Sequence, residues 1–151
     1  MLAKSLLSRL AAANLFNPIA PLTDLLLRLY IAKIFFMSGL TKFADWETTV
    51  MLFTDEYRVP LLSPQLAAFG GTVGELVLPV LLVLGVFTRF SALGLFVLNL
   101  VAVASYYHVL KDIPPALQDH LEWGLMLLVL IAIPVQRWAL DRLWFRPSQT
   151  N

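Results

Sequence analysis

The chain has 151 residues, 59% of them hydrophobic and only 14% charged, with a mean hydropathy of +0.77. A water-soluble domain carries roughly 25% charged residues, so this chain lacks the charge to coat a water-facing surface, and lipid is its expected solvent. A net charge of +1, from 11 Lys and Arg against 10 Asp and Glu, excludes a nucleic-acid footprint. The absence of cysteine excludes disulfides, iron–sulfur ligation and a thiol nucleophile within the chain.

In chain order, residues 1–21 open with MLAKSLLSRLAAANLF. Lys4 and the leucines that follow resemble a signal peptide, but Arg9 splits the apolar run. An amphipathic helix on the cytoplasmic face is the expectation there. Four segments then approach the ~20 apolar residues a bilayer-crossing helix needs: residues 22–43, 64–87, 90–110 and 117–134. Thr88-Arg89 is read as a tight turn that makes the second and third antiparallel neighbours. Residues 45–64, DWETTVMLFTDEYRVPLLSP, are too apolar for a plain linker. They are expected to fold as a short helix or hairpin over the outer mouth, either as a lid or as simple cover for the helix ends.

Basic residues set orientation. Lys4 and Arg9 precede the first span, Arg89 marks the second turn, and Arg137, Arg142 and Arg146 crowd the tail. The loop from Ala44 to Ser63 holds four acids against Arg58. The expected fold is therefore all-α: a polytopic membrane four-helix bundle, N-in and C-in. Its parts are an interfacial segment (1–21), the bundle (22–140) and a basic cytoplasmic tail (141–151).

Charges inside hydrocarbon cost at least ~2.5–3.5 kcal/mol each and so tend to pair and face the bundle interior. The candidates are Arg28, Lys33, Lys42, Glu75, Asn99, His108, His120 and Glu122. Arg28, Phe35 and Lys42 are spaced by seven and share one face of the first helix. Ala67, Gly71 and Glu75 are spaced by four on the second, where Gly70 and Gly74 form a GxxxG that lets a neighbouring backbone approach. Glu75 is expected to meet Arg28 or Lys33, either as a structural ion pair or as part of a proton-relay or ligand site. Asn99 and His108 fall half a turn out of phase and are not expected to serve one site. His120 and Glu122 point to nearly opposite sides of a helix, and two histidines are a weak metal signal, so no metal is assigned. Trp46, Tyr106, Tyr107, Trp123, Trp138 and Trp144 read as interfacial aromatic belts, with quinone stacking by Tyr106 or Trp123 as the less favoured alternative. No Walker loop, HExxH or GxSxG occurs, and no catalytic residue is assigned.

From Leu25 to about Leu143 the chain resembles the DoxX family of small bacterial four-helix membrane proteins. The resemblance rests on Arg28-Leu29-Tyr30, Ser38-Gly39-Leu40-Thr41-Lys42, Gly74-Glu75-Leu76, Leu84-Gly85-Val86-Phe87-Thr88-Arg89, His108 and Asp119-His120-Leu121-Glu122-Trp123. Lys33 departs from the apolar or small residue expected there. The resemblance implies a bacterial inner-membrane location and a link to redox complexes, with a quinone as candidate cofactor. Membrane lipid, a redox partner protein and a second copy of the chain are the implied partners. The residues expected to bind ligand are Arg28, Lys42, Glu75, His108, His120 and Glu122. The alternative is a non-catalytic scaffold or transporter-like subunit whose buried charges are structural.

Overall fold

The structure is a computed structural model that describes residues 19–132 and 139–141. The expected amphipathic segment before Ile19 and nearly all of the basic tail lie outside the described residues. Those described are all-α, with five helices and no strand. They are α1 (Ile19–Ala44), α2 (Trp46–Asp55), α3 (Pro64–Leu84), α4 (Thr88–Leu110) and α5 (Pro114–Ala132).

Local chemistry sets the boundaries. Asp45 ends α1 and caps α2, its side chain accepting from Thr48 N at 3.1 Å. Those Thr48 hydrogen bonds hold the Asp45 carboxyl below its ordinary pKa. Ser63 caps α3 just ahead of Pro64, whose missing N–H costs nothing in a first turn. The same helix ends at Gly85, in the left-handed region at φ 68°. The connection to α4 is therefore made by Gly85, Val86 and Phe87, and Thr88 and Arg89 already belong to α4. That corrects the turn expected at Thr88-Arg89: a glycine that adopts positive φ freely stops α3 three residues earlier than hydropathy alone suggests.

α1 packs against α3 and α5, and α4 against the same two helices, so the four long helices close into a ring. α2 lies against α1 and α3. Its Thr49 is buried and donates to the carbonyl of Lys42 at 3.0 Å, and Arg58 N in the following loop donates to Ser105 O on α4. The loop between the first two long helices thus folds as a short helix, with its tail tied across to α4.

The surface of this ring is apolar. α3 and α4 are long and apolar enough to cross a membrane, yet only 28% and 22% of their apolar windows are buried. Leu26, Met37, Val77, Phe90, Val97 and Leu125 are each about half exposed or more. Such a surface suits hydrocarbon, whereas a soluble core helix would turn these side chains inward. The buried core is a plug of Ile31, Phe35, Leu82, Ala92, Leu95, Leu127 and Leu130. It fills the half of the ring nearer the α1 N-terminus. The other half, under α2, is polar.

Candidate functional site

The polar half is built around Lys42 near the end of α1. Lys42 Nζ lies 2.6 Å from Glu75 Oε2 on α3 and 2.7 Å from Ser38 Oγ one turn back on α1. The side chains of the pair keep 20% and 13% of their accessibility, which places the pair largely out of solvent. The register that sets them level comes from Gly39. A Cβ there would come within 3.0 Å of both Glu75 Cβ and Leu76 Cγ, so only a glycine lets α1 and α3 approach this closely. The expected GxxxG does not do this: Gly70 has no atom near its missing Cβ, and Gly74 meets only Leu98. Further along α3, Pro79 has no N–H to offer the Glu75 carbonyl.

A second element is the pair Asn99 and His120, from α4 and α5. Asn99 Nδ2 donates to the backbone carbonyl of His120 at 2.8 Å, while Asn99 Oδ1 stands 2.8 Å from His120 Nδ1. An amide oxygen cannot donate, so the carbonyl fixes which way Asn99 faces, and Nδ1 of His120 must carry the proton. In the neutral ring Nε2 then holds the free lone pair. Gly124 makes room for this contact, since a Cβ there would press within 3.3 Å of Asn99 Nδ2.

Both elements line one cavity of about 300 Å3. Phe35, Leu98 and Trp123 supply apolar wall, and Tyr57 and Tyr106 cover it from the α2 side. Trp123 stands edge-on to both Phe35 and His120. Tyr57 and Tyr106 stack edge-on at 4.7 Å, and Tyr106 Oη donates to Glu56. Burial, and then the negative charges of Glu56 and Glu75, raise the Tyr57 phenol above its ordinary pKa, so it stays a neutral hydrogen-bond donor. A smaller chamber of about 220 Å3 adjoins under α2 and the loop that follows it. Lys42, Tyr57 and Glu75 line both chambers, which puts the ion pair between them. A wider recess of about 680 Å3 between α4 and α5 is an apolar groove on the outside of the ring; it touches the site only through Asn99 and His120.

Of the residues the sequence singled out, Lys42, Glu75 and His120 come together here, with Asn99. Arg28 does not. It is fully buried toward the other end of the ring, where Nη1 donates to the carbonyls of Leu82 and Val83 at 3.4 Å. Nη2 stands 2.9 Å from Asp24 Oδ2 without hydrogen-bond alignment, so that contact is held by charge. Arg28 thus serves the negative end of the α3 dipole. Nearby, Asp141 accepts from Phe87 N and Thr88 N, both at 2.7 Å, and from Thr88 Oγ1 at 2.8 Å, capping α4. Lys33 is exposed on the outside of α1. The expected pairing of Glu75 with Arg28 or Lys33 is therefore corrected to Lys42, because the Gly39 contact fixes α1 at a height that brings its last turn level with Glu75.

His108 is exposed beside Tyr106, and Glu122 is exposed and accepts from Gln118. Neither lines the cavity. Tyr106 and Trp123, read as belt aromatics, face the cavity instead. Ser38 and Tyr57 line the cavity but were not among the candidates the sequence singled out. The i, i+4 spacing of Ser38 and Lys42 carried a signal for the first; nothing local marked Tyr57, which arrives through the α2 loop. Among the described residues no three His, Asp or Glu converge as metal ligands would.

No curated protein and no solved structure matches the chain. A sequence model of the DoxX family does match, over residues 23–108, which takes in α1 to α4 and all but His120 of the Lys42–Glu75–Asn99–His120 set. That match spans more than half of the chain, and the protein belongs to the DoxX family of membrane proteins.

Proposed function

We propose that this is a redox-associated protein of the bacterial inner membrane, whose four long helices cross the bilayer with both termini in the cytoplasm. In this reading the Lys42–Glu75 cavity holds the head group of a quinone-like or other small hydrophobic ligand. α1 rises about 39 Å and α5 about 29 Å, which suits a hydrocarbon layer ~30 Å thick. The alternation of basic and acidic segments supports the orientation.

The observation that carries the ligand reading is the largely buried Lys42–Glu75 pair opening onto an aromatic-walled cavity. An ammonium has three N–H donors. Glu75 and Ser38 take two of them, leaving one for a ligand carbonyl. His120 Nε2, with its lone pair freed by the Asn99 contact, is placed to hold or accept a proton, and Tyr57 adds a neutral hydroxyl. About 300 Å3 is at the small end of ligand sites, which fits one ring. The apolar plug beneath the cavity favours a closed binding site over a polar channel through the protein. A bound quinone would supply the electron-accepting ring, and a partner protein would supply the electrons.

The test is mass spectrometry of small molecules extracted from gently purified wild type, Glu75→Gln and Lys42→Met. A quinone present in the wild type and absent from equally folded variants supports the reading. No ligand in any of them, with the variants merely less stable, overturns it and leaves the pair as a staple in a non-catalytic scaffold or transporter-like subunit.

A further inference from the structure

Lys33 is a charge in α1 that neither the site nor the Asp24–Arg28 pair uses. It stands 14 residues from Ile19 and 11 from Ala44, in the middle third of the helix, and is exposed. Among the described residues it makes no ion pair or hydrogen bond, whereas Arg28 and Lys42 on the same helix both have partners. A lone ammonium facing hydrocarbon is unfavourable unless something meets it.

Beside it runs an apolar groove of about 330 Å3 between α1 and α3, lined by Leu29, Phe36, Pro79, Val80 and Leu84 among others. From Pro79 to the end of α3 at Leu84 the groove rises about 8 Å. Helical side chains lean toward their own N-terminus. The Lys33 stem therefore leans along the groove toward the α3 C-terminus. A long stem under apolar cover with its ammonium reaching for head-group level is the snorkelling arrangement.

We propose that Lys33 and this groove bind one anionic phospholipid in the leaflet on the side of the α1 N-terminus. The lipid phosphate pairs with Lys33, and an acyl chain lies along Phe36, Pro79 and Val80. The walls argue for an acyl chain over a partner's helix. A docking helix wants a seam of small residues, and this groove is mostly Leu, Phe and Val. A second copy meeting the same face about a two-fold axis would set Lys33 against Lys33.

The test uses the full-length protein in nanodiscs of phosphatidylcholine with phosphatidylglycerol, followed by native mass spectrometry to count retained lipids. The wild type is expected to retain phosphatidylglycerol in preference to phosphatidylcholine. Lys33→Gln should weaken that retention about fivefold, the weight of one basic side chain at an anionic surface, and Lys33→Arg should preserve it. Val80→Trp, which fills the groove but keeps the charge, should also weaken it. Lys33 is exposed, so Lys33→Gln should unfold at the wild-type temperature in phosphatidylcholine alone, and that measurement separates lost lipid from lost fold. Equal retention of phosphatidylglycerol by wild type and Lys33→Gln, or equal retention of the two lipids by the wild type, overturns the proposal. So does a partner carboxylate found cross-linked to Lys33.

Discussion

The ion pair at the centre of the cavity makes a quantitative commitment. An exposed ion pair contributes 0–1 kcal/mol, while stripping one partner from a fully buried pair costs ~3–5 kcal/mol. Lys42 and Glu75 lie between these limits, with 20% and 13% of their side-chain surface still accessible. Ser38 would still hold one Lys42 N–H after Glu75 is neutralised. We therefore expect Glu75→Gln to cost about 2 kcal/mol and Lys42→Met about the same, each leaving one largely buried charge alone. The double variant leaves no orphan and should cost about 2.5 kcal/mol, well short of the sum, giving a coupling of about 1.5 kcal/mol. The assay is a double-mutant cycle by denaturant unfolding in detergent micelles, followed by helical circular dichroism at fixed pH. Additivity within about 0.5 kcal/mol, the range of independent sites, would refute the assignment of Lys42 as the partner of Glu75.

Two further outcomes follow from the ends of the ring. Asp141→Ala removes the acceptor of three charge-assisted hydrogen bonds at the start of α4 and should cost about 2–3 kcal/mol in thermal unfolding, with Asp141→Asn between the two; a loss below about 0.5 kcal/mol would contradict the capping role. The Tyr57 phenol is raised from its ordinary value of 10.0 by burial and nearby carboxylates. The stability it contributes is fully present below that value and declines as pH rises through the folded-state pKa. Unfolding temperatures should therefore fall on the alkaline side of pH 10 in the wild type and fall less steeply in Tyr57→Phe; identical slopes would show that Tyr57 is not held neutral by the fold.

The membrane character and the long helices were legible because hydrocarbon demands runs of about twenty apolar residues, and such runs survive any tertiary detail. The polar residues were legible one by one, since each is costly in that setting. Their partners were not. Arg28 and Lys42 lie fourteen residues and about 21 Å apart on one helical face, so phase nominates both and cannot choose between them. The choice lies in the vertical register of α1 against α3, which Gly39 fixes by touching Glu75 and Leu76. The GxxxG on α3 pointed elsewhere for a related reason: a run of small residues shows that something can approach, without saying which helix does. Asn99 and His120 sit on different helices, 21 residues apart, and nothing in either neighbourhood predicts the contact.

By itself, then, the sequence determined the solvent of this protein, its helices and the set of charges that must be reconciled with lipid. It did so because burial cost and helical period are properties of single segments. Only the tertiary structure decided that Lys42 meets Glu75, that Arg28 serves the opposite end, and that Tyr57 closes the cavity from a loop. Those depend on how far one helix slides along another, which close packing at a few glycines settles and no single segment records.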